Sequence, residues 1–153
     1  MTKNENETAR LIIGCGFLGE RVARRWLGSG STVFATTRNQ TKAKQFAKAN
    51  IQPIIGDVTT RSGSPNCFQN LPEVDTVLWS VGFDRNAHAN YHDVHVTGLL
   101  RILDQIPNNP RVIFISSTGV WGTETAEEVN ESTPAYPIRE AGRTLLTAET
   151  SLS

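Results

Sequence analysis

Three glycines in Gly14-Cys-Gly16-Phe-Leu-Gly19 close an apolar run, Arg10-Leu-Ile-Ile13, and a helical pattern follows at once. No other stretch of the 153 residues restricts the fold as much. A strand that turns directly into a helix needs backbone angles that side chains resist, and glycine at position 14 tolerates them. Gly16 places no side chain in front of the turn, and Gly19 lets helix and strand pack closely. The free N–H groups of such a helix start, here from Phe17 and Leu18 onward, join the helix dipole in favouring a phosphate. The glycine spacing alone is a weak signal. The strand before it, the helix after it and a second strand at the expected distance turn it into a seat for the pyrophosphate of a dinucleotide. A tight turn without a ligand is the plain alternative. Cys15, between two glycines and with no base nearby in sequence, reads as a small buried filler instead of a reactive thiol.

Five short β-rich runs alternate with helical patterns, which argues an α/β domain with a parallel sheet covered by helices. After the first strand comes a helix over 17–27, with Leu18, Val22, Trp26 and Leu27 near one face, ended by Gly28 and Gly30. Strands are expected at 32–37, 51–55, 76–80 and 111–115, and helices at 41–49, 87–105 and 140–150. The 87–105 helix buries Tyr91, Val94, Leu99, Ile102 and Leu103 and is stopped by Pro107. Residues 59–70, with Gly63, Ser64 and Pro65, read as loop. Right-handed crossovers leave few arrangements. The expected strand order is 3-2-1-4-5, with ligands bound past the carboxyl ends of the strands.

Composition narrows the class. An apolar content of 38% with 20% charged residues belongs to an ordinary globular protein, and one domain over 9–153 follows a polar, frayed leader, Met1 to Thr8. No apolar run approaches the roughly 20 residues that cross a bilayer, and the leader has no secretory core. Two cysteines, Cys15 and Cys67, are too few for a disulfide framework or a zinc site, so no metal and a reduced cytoplasm are expected. Net charge is zero but uneven: residues 1–56 hold nine basic against three acidic groups, and the remainder six against twelve. The basic residues fall on expected helices and at one strand end, without a dense run or interleaved aromatics. That favours a phosphate-bearing small ligand over nucleic acid.

A site for NAD usually places an acid near the end of the second strand, to accept from the ribose 2′-hydroxyl. None occurs between Glu20 and Asp57; the strand ends in Thr36-Thr37-Arg38, with Lys42 and Lys44 behind. A guanidinium there pairs with a 2′-phosphate through two N–H groups, so NADP is preferred, with NAD as second candidate. A merely solvated Arg38 is the alternative, and an arginine stacked on adenine would serve NAD as well. Asp57, with Val58 beside it after the third strand, either accepts from the adenine amino group or caps a turn. Ser80-Val81-Gly82 lets the backbone pass close to the adenosine ribose, or simply turns. Trp26, Trp79 and Trp121 are isolated and read as core or pocket wall.

These pieces together resemble the extended short-chain dehydrogenases/reductases, also called the NAD-dependent epimerase/dehydratase family. The resemblance rests on the glycine loop, Gly56-Asp57-Val58, the helix around His95-Val-Thr-Gly98, and above all Ser116-Ser-Thr-Gly-Val-Trp-Gly122. The last echoes the family's SSxxVYG strand end, with Trp121 in the tyrosine's place; Glu131-Ser-Thr-Pro134 echoes the stretch before the catalytic helix. The loop is one residue tighter than the commoner GxxGxxG, which points to an atypical branch. The resemblance implies a Rossmann-type doubly wound fold and a nicotinamide cofactor. It also implies a catalytic serine or threonine: Ser117, with Thr118 second.

The family's tyrosine and lysine are missing. Aligning 141–149 with the YxxxK helix puts Ala141 at the tyrosine and Leu145 at the lysine, while His95 takes a supporting asparagine's position. General acid–base help is worth about a hundred- to ten-thousand-fold, and alanine or leucine supplies none. Tyr136 is a poor substitute, because four residues on, where the lysine partner is needed, stands the acid Glu140. His95 is a minor catalytic candidate, since a helix-face histidine is usually structural. The chain ends after the helix that follows strand five, without the family's C-terminal substrate lobe. A fragment of a longer protein is expected, or else a partner or second copy forming a homodimer in the lobe's place. The substrate is not legible, and a non-catalytic, redox-sensing NADP module is the alternative function.

Overall fold

Leu11, Ile12 and Ile13 have no exposed surface, the pattern of a central parallel strand covered on both faces. The computed structural model describes residues 8–61, 63–64, 68, 70–84, 89–122 and 128–153. Elements follow in the order β1 (Ala9–Ile13), α1 (Phe17–Gly28), β2 (Thr32–Thr37), α2 (Gln40–Lys48), β3 (Gln52–Ile55) and β4 (Thr76–Trp79). Then come a π-helical stretch (Asp93–Gly98) running into α3 (Leu99–Leu103), β5 (Arg111–Phe114), a 3-10 turn (Thr118–Val120) and α4 (Glu140–Ser151). The five strands form one parallel sheet in the order β3-β2-β1-β4-β5, as expected.

Period-two alternation divides the core. Leu11 and Ile13 of β1 join Val77 and Trp79 of β4 on the face packed by Leu99, Ile102 and Ala148. Ile12 and Leu78 point the other way, toward Ala23 of α1 and Phe46 of α2. All five strands therefore end at the same edge, where the loops gather.

Several expected details are corrected. The core-facing stripe of α1 is Gly19, Val22, Ala23, Trp26 and Leu27, whereas Leu18 is 42% exposed. Gly19 sets this rotation, because a Cβ there would lie 3.0 Å from Ile12 Cγ2. Ile51 is not in β3: its N–H closes the end of α2 on the Phe46 carbonyl, at 3.0 Å. Thr8 is no part of a frayed leader, since its carbonyl accepts from the Thr32 N–H at 3.0 Å. The rest of the leader and Cys67 lie outside the described residues.

The expected 87–105 helix is shorter and differently wound. Ala87 lies outside the described residues; helical winding runs from Tyr91, and the Asn90 side chain accepts from the Asp93 N–H at 2.8 Å. Residues Asp93–Gly98 are π-helical. Here the helix presses on the strand-end loop below it: a Cβ at Gly98 would lie 2.7 Å from the Val58 carbonyl oxygen. Arg101 donates to that same carbonyl. Among the described residues no helix is long and apolar enough to cross a membrane.

Candidate functional site

The carboxyl ends of β1, β2, β3 and β4 enclose a cleft of about 520 Å³. Its lining brings together Gly14, Gly16, Phe17, Thr37, Arg38, Asp57, Val58, Ser80, Val81 and Gly82, ten of the twelve residues expected to hold a cofactor. The other two, Leu18 and Gly19, stand on α1 outside the lining. Leu18 is turned to solvent, and Gly19 packs against β1.

Gly14 is the knot of this cleft. It has φ +85°, its N–H donates to Thr36 Oγ1 at 3.1 Å, and its carbonyl accepts from Ser80 Oγ at 3.1 Å. One residue thus ties the ends of β1, β2 and β4. Gly16 is different: a Cβ added there meets no atom within 4 Å. It is the N-cap of α1, and among the described residues no side chain caps that helix start. By contrast, Asn39 caps α2 by accepting from the N–H groups of Thr41 and Lys42, at 2.8 and 3.1 Å. Among the described residues the first N–H groups of α1 thus meet no side-chain cap, and the dipole stands behind them. This is a cradle that a pyrophosphate fits.

Side chains set the charge of the far wall. Arg38 Nη1 lies 3.5 Å from Asp57 Oδ2, and its Nη2 lies 3.3 Å from Asp84 Oδ2. Arg38 is thus not simply solvated. Asp57 Oδ1 accepts from the Thr59 N–H at 2.8 Å and from its hydroxyl at 2.7 Å, so the turn-capping role is the one seen. Burial pushes the Asp57 carboxyl up, but the Thr59 hydrogen bonds and the Arg38 charge outweigh it and hold it below its ordinary value. Lys42 also lines the cleft, 3.1 Å from Glu20 Oε1. Cys15 is 4% exposed, and burial pushes its thiol up to about 11. An inert thiol follows.

Sequence reasoning missed Thr36, Thr59 and Asp84. Only Thr59 left a local trace, as an Asp-x-Thr turn signal. Asp84 left none, because it meets Arg38 from 46 positions away.

A second cleft of about 420 Å³ holds Ser117 and Thr118, with Tyr91, Ala141 and Leu145. Ser117 Oγ accepts from the Gly119 N–H at 3.2 Å, which leaves its own proton free to be donated. Gly142 lets α4 approach closely, since a Cβ there would lie 2.4 Å from the Gly119 carbonyl oxygen. The helix that brings Ala141 and Leu145 beside Ser117 thus brings no phenol and no amine. Tyr136 is 81% exposed and lines neither cleft. The tryptophans are wall and core: Trp79 is fully buried, Trp26 packs on the α1 side, and Trp121 Nε1 donates to the Thr133 carbonyl at 3.1 Å.

His95 also lines neither cleft. It is 4% exposed, its ring centroid stands 4.3 Å from that of Tyr91, and neither ring nitrogen has a hydrogen-bond partner among the described residues. Burial lowers its pKa, so folding favours the neutral imidazole over the charged one. Unfolding then takes up a proton as pH falls through the ordinary value of about 6.5. Stability from this group is complete above that pH and is lost below it. His95→Phe should therefore flatten the decline in melting temperature between about pH 7.5 and 5.5. An unchanged slope would place the wild-type loss elsewhere.

Comparison with known proteins follows the same lines. The model of the family described as NAD dependent epimerase/dehydratase matches residues 11–150. A UDP-glucose 4-epimerase of Streptococcus mutans is 22% identical over 148 residues, covering 90% of this chain and 44% of that protein. A short-chain dehydrogenase/reductase superfamily protein of Agrobacterium tumefaciens, solved with bound NAD, has a TM-score of 0.69 at 22% identity. That match covers 93% of this chain and 43% of the other. The ADP-L-glycero-D-manno-heptose-6-epimerase of Helicobacter pylori has a TM-score of 0.70 at 16% identity, over 95% of this chain and 50% of the other. The chain thus spans about half the length of the relatives it matches.

Proposed function

This chain belongs to the NAD-dependent epimerase/dehydratase family, and we propose that it is the dinucleotide-holding half of an atypical member, with NADP preferred over NAD. The observation that carries this reading is the uncapped start of α1 at Gly16, opening onto a cleft where a side chain would otherwise stand. Amides of the first turn would receive the pyrophosphate, Gly82 would let the ribose approach the β4 end, and Arg38 would hold the 2′-phosphate. When bound, the nicotinamide supplies a hydride acceptor or donor. The chain's own part is to bind and orient the cofactor, and to donate a hydrogen bond from Ser117 in the second cleft.

Calorimetric titration with NADP, NAD and ATP tests the reading. Arg38→Ala should weaken NADP by about tenfold, the worth of roughly one charge-assisted contact, and NAD much less. Equal losses for both cofactors would remove the 2′-phosphate role.

Ala141 and Leu145 beside Ser117 favour a second reading, a non-catalytic NADP-holding or redox-sensing module. Incubation with NADPH and a panel of sugar nucleotides or simple carbonyl compounds separates the two. Oxidation that is lost in Ser117→Ala supports turnover. Tight binding with neither oxidation of NADPH nor conversion of any sugar nucleotide in the presence of NADP supports the module.

A further inference from the structure

Arg38 continues from the end of β2, and Asp84 reaches it from the loop after β4, across the carboxyl end of β1. The guanidinium presents Nη1 to Asp57 and Nη2 to Asp84. The two acids differ in exposure, the Asp57 side chain being 24% exposed and that of Asp84 44%. Asp57 is committed through its other oxygen to both the N–H and the hydroxyl of Thr59. Asp84 is 44% exposed on its side chain and Arg38 56%, so their pair is within reach of solvent, where such pairs are weak and open readily.

A guanidinium holds a phosphate best by offering two N–H groups to two oxygens. Here Nη2 already faces a carboxylate. An arriving 2′-phosphate has to displace Asp84 or lie against its negative charge, and like charges brought together oppose binding. A ribose with a free 2′-hydroxyl meets the reverse situation, because a carboxylate accepts from a hydroxyl. We propose that Asp84 is a specificity-determining residue that opposes Arg38, and that this pair sets the balance between NADP and NAD. Asp84 thereby supplies, from the end of β4, the acid that the end of β2 lacks. The proposal rests on the first cleft being the dinucleotide site.

The test is calorimetry on the full chain with NADP, NAD and adenosine 2′,5′-bisphosphate. Asp84→Asn keeps the shape and removes the charge. It should bind NADP and the bisphosphate about threefold tighter, with NAD unchanged or weaker. The gain should shrink as salt is raised. In an Arg38→Ala background the share of the gain that comes from releasing the guanidinium should be lost, leaving only the salt-sensitive share from the removed like charge. An unchanged NADP-to-NAD ratio in Asp84→Asn, with both dinucleotides still bound, overturns this proposal and leaves the dinucleotide site standing. A wild-type chain that binds neither dinucleotide overturns the parent reading and this one with it.

Discussion

Gly16→Val should abolish dinucleotide binding, by about a hundredfold or more in calorimetric titration, while the protein keeps its fold. The two halves of this expectation come from the same measurement of space. Beyond its chain neighbours, a Cβ at position 16 meets no atom of the described residues within 4 Å, so none of them has to move to admit it. Gly16 and Phe17 line the cleft at the start of α1, where among the described residues no side chain caps the first N–H groups. A branched side chain placed there occupies the room that the pyrophosphate needs, and the charge–dipole contact cannot form at a distance. Thermal unfolding of the variant is the control. A cooperative transition near that of the wild type, together with lost binding, assigns the loss to the cradle. Normal titration of NADP or NAD by Gly16→Val would exclude this cleft as the dinucleotide site.

Gly14→Ala should do the opposite, harming the fold first. Position 14 has φ +85°, and an added Cβ would lie 2.5 Å from the Val81 Cα. The obstruction is backbone, so a rotamer change offers no escape. Left-handed geometry costs an L-residue about 1–2 kcal/mol. Forcing the β1 and β4 ends apart also strains the hydrogen bonds that Gly14 makes with Thr36 and Ser80. A total of about 3 kcal/mol is expected, a large share of the roughly 5–15 kcal/mol that holds a domain together. For a chain of this size the melting temperature should fall by about 10 °C. A variant as stable as the wild type would show that the turn relaxes freely and that the first glycine is not required by geometry. Two neighbouring glycines of one motif thus separate cleanly, one needed by the fold and the other by the ligand.

The secondary structure was legible where a single physical demand acted along the chain. Apolar runs at β1, β2, β4 and β5 and the glycines that bound α1 gave boundaries within a residue or two, because burial and turn chemistry are local. The sequence was weaker where two elements press on each other. Nothing in Asp93–Gly98 announces a π-helical stretch. That winding belongs to a segment that meets the Val58 carbonyl, whose position depends on β3. Leu18 misled for a similar reason. Its apolar character suggests a core position, but the close contact of Gly19 with Ile12 rotates α1 and leaves Leu18 exposed.

The site divides in the same way. Ten of the twelve expected cofactor contacts meet in one cleft, because a doubly wound sheet carries every strand's carboxyl end to the same edge. The expectation that Ala141 and Leu145 stand where the family's tyrosine and lysine do also came from the sequence. That they stand with Ser117 in one cleft required α4 to pack tightly against Gly119 through Gly142.

What the amino-acid order determined alone was therefore the alternation of strand and helix, the glycine turn, and the absence of a phenol and an amine from 141–149. These follow from periodicity, backbone freedom and side-chain chemistry, each readable within a few residues. Only the tertiary structure decided what faces Arg38. A strand end with no acid in its own neighbourhood faces two, Asp57 and Asp84, because the sheet order sets the ends of β3 and β4 on either side of it. Charge acts through distance in space, and that distance exists only once the chain has folded.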